Sequence, residues 1–193
     1  MTETVTYDGK TIPVHGRGFH DHQWGSTTYH SLWNHWTWAR QKFGDYTLLV
    51  FDMIGSESHG FKRYPLVFLE DAKGNVIFHS NEGVDYDYQE TYQDDYSGKT
   101  YPSSQRFVFK NGDKTLIYEL KQKQIIKNMK LPFLFKIAVK LKGMNPSYAR
   151  YVANGHMTLL ENDKEIVSRK GELIYEFMYP GKVDFREAVK KAK

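Results

Sequence analysis

QRFVFKNGDKTLIYELK, residues 105–121, sets two short runs of alternating apolar residues on either side of Asn111-Gly112. Asn-Gly between such runs is a strong local signal for a β-hairpin, because the favoured tight turns need residues that tolerate positive φ. Similar punctuation recurs at Asp8-Gly9, Gly44-Asp45, Lys73-Gly74-Asn75 and Glu161-Asn162-Asp163. Between these turns lie YTLLVFDMIG (46–55), YPLVFLED (64–71), NVIFHS (75–80), ARYVANGHMTLLE (149–161) and GELIYEFMY (171–179). Short strands at regular spacing, with tight turns and no helical periodicity between them, predict an all-β fold: an antiparallel barrel or sandwich. No repeat, low-complexity tract or linker interrupts the 193 residues, so residues 1–193 are expected to form one domain.

Composition narrows the function. Aromatic residues make up 16% of the chain, which suits cross-strand packing and a cavity for an apolar small molecule. A net charge of +4 does not indicate a nucleic-acid partner. The absence of cysteine excludes disulfides, thiolate metal sites and a cysteine nucleophile, and fits a reducing compartment. The N-terminus MTETVTYDGK has no apolar core of a secretory signal, and no apolar run approaches the roughly twenty residues of a membrane span. A soluble, cytoplasmic protein is expected.

Two segments depart from the strand pattern. VDFREAVKKAK (183–193) has helix-forming composition and is expected to pack outside the sheet or to fray. FLFKIAVKLK (133–142) fits either period. Phe133, Phe135, Ile137, Val139 and Leu141 alternate as in a strand, whereas Pro132 before it and Gly143 after it suit a helix, an additional helix to which the reading leans. Its basic and apolar character also allows peripheral contact with a membrane surface.

Chemistry concentrates in GRGFHDHQWG, residues 16–25. As a strand it would send His20, His22 and Trp24 to one face and Asp21 and Gln23 to the other. A His-x-His pair alone is a weak metal signal, and the remaining histidines lack ligand spacing, so no metal site is expected. Asp85, Asp87 and Glu90 lack the glycine and spacing of a calcium loop and read as the solvated side of a strand whose Val84, Tyr86 and Tyr88 face inward. No nucleophile elbow and no phosphate-binding glycine loop is present. What is left is acid–base work among aromatic walls. Asp52 lies within a stretch otherwise almost wholly apolar, where a carboxyl must either find a partner or hold a proton. Protonated, it could deliver that proton to an alkene, with indole and phenol faces steadying the cation. Paired, it would bond to backbone or to Arg40.

These residues resemble a known family. GRGFHDHQWG is similar to the Gly-x-Gly-Tyr-x-Asp-His-x-Trp-Gly motif of the lipocalin-like family that includes the carotenoid hydratases (hydroxyneurosporene synthase) and the AttH-like proteins. The likeness continues, in order, through HWTWARQKFGDYTLLVFDM (35–53), SGKTYPSSQRFVF (97–109) and GELIYEFMYPG (171–181). It implies an antiparallel lipocalin-like β-barrel around an apolar, often terpenoid or polyketide-like, molecule. Hydratases and Diels–Alderase-type cyclases are implied among the relatives. Carried over residue by residue, the resemblance makes Asp52 the proton donor, His22 its relay and Trp24 a wall that steadies positive charge. His20, Trp36, Trp38, Phe51, Tyr86 and Tyr88 are the expected substrate contacts. No cofactor is implied. The family's tyrosine has no counterpart, since its neighbourhood here reads Val50-Phe51. Typical relatives have two lipocalin-like halves and this chain matches the second, so the site between or beside the halves is either missing or completed by a homodimer. Two readings follow: an enzyme that protonates a double bond of an isoprenoid-like or polyene substrate (hydration, cyclisation or isomerisation), or a non-catalytic carrier of a hydrophobic ligand.

Overall fold

The computed structural model describes residues 2–15, 20–27, 29–128, 132, 137, 141 and 145–192. It is a strand protein. A hairpin of β1 (Thr2–Tyr7) and β2 (Lys10–His15) precedes a single helical turn, α1 (Tyr29–Leu32). Then follow β3 (Trp33–Phe43), β4 (Tyr46–Gly55), β5 (Arg63–Glu70), β6 (Val76–Ser80) and β7 (Val84–Asp87). The short pair β8 (Thr91–Gln93) and β9 (Thr100–Pro102) leads into β10 (Ser104–Asn111) and β11 (Lys114–Asn128). The long strands β12 (Ser147–Glu161) and β13 (Lys164–Tyr179) and the helix α2 (Phe185–Lys191) complete the order. The segment 132–142 falls almost wholly outside the described residues; Ile137 and Leu141 are helical and exposed.

Nine strands form one antiparallel sheet in the order β6-β5-β4-β3-β13-β12-β11-β10-β7. The Asn111-Gly112 hairpin is β10–β11, with Asn111 paired to Lys114 and Gly112 at φ +59° as the first turn residue. The glycine is needed there because a side chain at that φ would meet its own backbone. The sheet curls until β6 approaches the β10–β11 turn. The last gap is bridged by side chains: Asn111 Nδ2 donates to the His79 carbonyl (2.8 Å) and Lys114 Nζ to that of Ile77 (3.3 Å). This is the lipocalin-like barrel expected, closed in this stretch by long polar side chains in place of a continuous ladder.

The interior of the barrel is packed with rings. Tyr101, Phe107, Phe109, Tyr118, Tyr151, Tyr175, Phe177, Tyr179 and Phe185 are all buried almost completely. Tyr151 stacks on Tyr175 at 4.7 Å and Tyr92 on Tyr101 at 5.6 Å. A buried phenol needs a partner for its hydroxyl. Tyr101 donates to Ser147 Oγ (2.6 Å), Tyr118 to Gln41 Oε1 (2.9 Å) and Tyr179 to the Val183 carbonyl (2.7 Å). The aromatic-lined hollow expected from composition is therefore corrected: the inward positions carry rings large enough to fill the described interior themselves.

The C-terminal helix is also corrected in position. It neither lies outside the sheet nor frays; it seals one end of the barrel. Phe185 enters the core beside Tyr88, Phe177 and His35, with ring centroids 5.0–6.0 Å apart. Asp184 caps the helix by accepting from the Arg186 amide. Asn34 Nδ2 holds the approach by donating to the Val183 carbonyl (3.0 Å), while its Oδ1 meets His35 Nδ1 at 2.6 Å. Burial lowers the His35 pKa to about 3, so this imidazole is a neutral packing group at physiological pH.

At the same end Lys99, only 7% exposed, donates Nζ to the carbonyls of Tyr179 and Gly181, both at 2.6 Å. Its ammonium lies 3.8 Å from the Tyr179 ring centroid. Burial lowers its pKa to about 7 from the ordinary lysine value of 10.5. The folded state therefore binds fewer protons than the unfolded state between these values, so the Lys99 contribution to stability improves as pH rises through that window. Relative to Lys99→Met, the wild-type protein should gain on the order of 3 kcal/mol between pH 6 and 9.5. Urea unfolding of both proteins across that range measures it, and a constant difference contradicts it.

Candidate functional site

Alternation along β3 and its neighbours sorts the site residues onto two faces. In β3, Thr37, Ala39 and Gln41 point into the core and Trp36, Trp38 and Arg40 point out. Antiparallel register then places Phe51 of β4 and Glu176 of β13 beside Trp38, with Arg150 of β12 beside Glu176. These outward groups form the floor of a cleft of about 590 Å³ on the outside of the sheet. Residues 20–25 run over it outside any regular element, and Asp21 and Gln23 form its other wall. A second hollow of about 250 Å³ shares Asp21, Trp38, Arg40 and Phe51 and reaches Phe68 and Glu70. The cleft combines two indoles and a phenyl ring with charges of both signs. Arg150 is ion-paired with Glu176 and donates Nε to Tyr148 Oη at 3.0 Å.

Asp52 is on the other side of the sheet. It is 4% exposed and accepts a bidentate pair of hydrogen bonds from Arg63, Nε at 2.8 Å and the terminal nitrogen at 2.7 Å. The Arg63 guanidinium also lies 4.8 Å from the ring centroid of Tyr86. Tyr86 donates its hydroxyl to Gln105 Oε1 (3.1 Å), which accepts from Thr37 Oγ1 as well (2.8 Å). The forked guanidinium meets both carboxylate oxygens, a geometry that fixes the two side chains against each other. The expected partner Arg40 is replaced by Arg63. Pro65 of β5 is the ladder partner of Asp52, and Arg63, two residues before it, sits diagonally on the same inner face.

The segment carrying His20, His22 and Trp24 is not a strand, and it lies outside the barrel. Trp24 is 85% exposed, with its ring 5.4 Å from that of His22, and His20 Nδ1 lies 3.2 Å from the Asp21 carbonyl oxygen. The sheet thus separates His22 and Trp24 from Asp52. Trp36, Trp38 and Phe51 share the outer cleft, whereas Tyr86 and Tyr88 belong to the core. Sequence reasoning missed Arg150, Ile174 and Glu176, which come from distant strands and join the cleft only through register. Arg40 had a signal, the Trp-x-Trp-x-Arg spacing that puts it on the face of both indoles. Among the described residues no group of three or more metal-ligating side chains is assembled, and no helix is long and apolar enough to cross a membrane.

Removing one member of a buried ion pair strands the other. Arg63→Met should therefore destabilise the protein by about 3–5 kcal/mol at neutral pH. Adding Asp52→Asn to it should restore part of that loss. Equilibrium unfolding of the two variants decides the point; equal stabilities would mean the pair is not coupled.

The chain has recognisable relatives. Over 67 residues it is 36% identical to the quinolone epoxide rearrangement protein asqO of Emericella nidulans, an alignment covering 35% of this chain and 17% of the relative. Kievitone hydratase from Nectria haematococca superposes with a TM-score of 0.54 at 14% identity, covering 92% of this chain and 49% of that one. An AttH protein from Nitrosomonas europaea gives 0.53 at 16% identity, covering 91% and 48%. CghA solved with Sch210972 gives 0.55 at 10% identity, covering 78% and 42%. These structural likenesses are of fold, and the chain spans about half the length of those structures or less. They bear on the fold and do not single out the carotenoid hydratases. The family model for Diels-Alderase-like proteins matches residues 1–140, and the chain belongs to that family.

Proposed function

We propose that this chain is one half of a cofactor-independent catalyst that isomerises or hydrates an apolar, oxygen-bearing small molecule in the outer cleft. The observation that carries this reading is the joining of the aromatic groups Trp36, Trp38 and Phe51 to charged groups of the floor and wall, Arg40, Arg150, Glu176 and Asp21. Rearrangement and hydration both require a proton to be given or taken while charge develops on carbon or oxygen. Asp21 is the carboxyl best placed to move that proton. The indole faces can steady positive charge on carbon, and the guanidinium of Arg40 can hold an oxygen that becomes negative. The names of two similar proteins, an epoxide rearrangement protein and a hydratase, describe reactions of this kind.

On this reading Asp52 acts from behind the sheet. Its pair with Arg63 fixes the inner side of β4 and so the position of Phe51 on the outer side. A carrier would need room inside the barrel for its ligand, and the packed rings weigh against that alternative. The cleft is open on its far side, and a second lipocalin-like half, supplied by another copy of the chain or by a longer polypeptide, would roof it.

The test is solvent-deuterium incorporation, read by mass spectrometry, over a panel of epoxyquinolones and other apolar epoxides and alkenes. Asp21→Asn should lower turnover at least about 100-fold, the usual scale of a lost general acid or base. Trp38→Ala should weaken substrate capture. Asp52→Asn should change turnover less than Asp21→Asn does. Full activity of Asp21→Asn, with loss in Asp52→Asn, would return the proton-donor role to Asp52 and overturn this placement.

A further inference from the structure

A second group of reactive side chains lies elsewhere on the outer surface. Glu119 of β11 is the ladder partner of His156 of β12, and Ser168 of β13 sits one diagonal step beyond. His156 Nδ1 is 3.1 Å from Glu119 Oε2, and His156 Nε2 is 3.0 Å from Ser168 Oγ. A carboxylate can only accept, so Nδ1 carries the proton and donates to Glu119. Nε2 is then left with its lone pair toward the Ser168 hydroxyl, the tautomer a general base requires. Arg106 Nε stands 3.7 Å from the other Glu119 oxygen and restrains the carboxylate. All three side chains rise from adjacent strands of one rigid sheet, which fixes their separations better than loops would.

Glu119 and His156 line a groove of about 590 Å³. Leu120, Gly155 and Gly171 also line this groove. Lys170, the ladder partner of His156, lines the same groove and supplies positive charge for an oxyanion. We propose that Glu119, His156 and Ser168 form a hydrolytic site for short-chain carboxylic esters. Ser168 Oγ bonds to the ester carbonyl carbon, its proton passes to His156 Nε2, and the carbonyl electron pair moves onto oxygen beside Lys170. Collapse breaks the bond to the alcohol, which leaves with the proton from Nε2. Water then attacks the acyl-serine by the same path, releasing the carboxylic acid and restoring Ser168.

Thr158 Oγ1, 3.4 Å from the same Nε2, is the competing hydroxyl, and it provides the control. The probes are p-nitrophenyl acetate for turnover and a fluorophosphonate for covalent labelling, read by intact-mass and peptide mapping. The wild-type protein should hydrolyse the ester above the buffer rate and take one phosphonyl group on Ser168. Ser168→Ala should abolish labelling and lower hydrolysis at least about 100-fold, with His156→Gln similar. Glu119→Gln should lower hydrolysis without abolishing labelling, and Thr158→Ala should retain both. These residues are partly or fully exposed, so circular dichroism and melting should be unchanged. Wild-type activity in Ser168→Ala, a label mapped elsewhere, or no turnover and no label in the wild-type protein each overturns the assignment.

Discussion

A side chain on a β-strand has two directions available, and in β4 that choice puts Phe51 and Asp52 on opposite sides of one layer of backbone. Nearly everything else about the molecule follows from the same sorting. Inward positions of β3, β4, β12 and β13 bring Thr37, Ala39, Val50, Asp52, Tyr151, Tyr175 and Phe177 into the core. Outward positions bring Trp36, Trp38, Arg40, Phe51, Arg150 and Glu176 into a cleft. A one-residue slip of β3 against β4 would turn Arg40 inward and Ala39 outward. The register is held because such a slip would place a guanidinium where an alanine now packs.

Inside the barrel, part of the cost of polarity is met locally, although Gln41 Nε2, Gln105 Nε2 and Tyr175 Oη make no hydrogen bond among the described residues. Gln105 Oε1 accepts from both Thr37 and Tyr86, and Gln41 Oε1 accepts from Tyr118. Gln41 reaches its position only because Gly155 and Gly171 face it without side chains. A Cβ on Gly155 would come within 2.1 Å of its amide oxygen. A paired glycine on two neighbouring central strands is otherwise unfavourable, since it weakens both strands. Here it makes room for a glutamine that satisfies a buried phenol, whose unpaired hydroxyl would cost about 1–3 kcal/mol.

The fold was legible because its signals are local. Asn111-Gly112 marks a hairpin, and the alternation of Val84, Tyr86 and Tyr88 with Asp85 and Asp87 marks an inner and an outer face. Both need only neighbouring residues. The partner of Asp52 was not legible, because choosing Arg63 over Arg40 depends on the β4–β5 register and on which face Arg40 occupies. Phe185 looked like one apolar position of an amphipathic surface helix; that it plugs the barrel depends on where β13 ends. The histidine–tryptophan segment misled for a related reason. Its alternation is real in the sequence, but no neighbouring strand pairs with residues 20–25, so the alternation has no sheet to be read against.

The two outer sites can be considered separately because β13 is long. Its 16 residues carry Glu176 at the aromatic cleft and Ser168 at the glutamate–histidine–serine relay. Eight residues of extended strand separate those positions by roughly 26 Å. At that distance, between solvent-exposed charges, direct electrostatic coupling is largely screened at physiological salt, where the Debye length is about 8 Å. A substitution at either site therefore alters its own chemistry and leaves the other's charges as they were. The sites also differ in what completes them. The aromatic cleft is a floor with one wall, the geometry of a surface that gains its enclosure from a second half. The relay is complete on three adjacent strands of this chain and needs only a substrate.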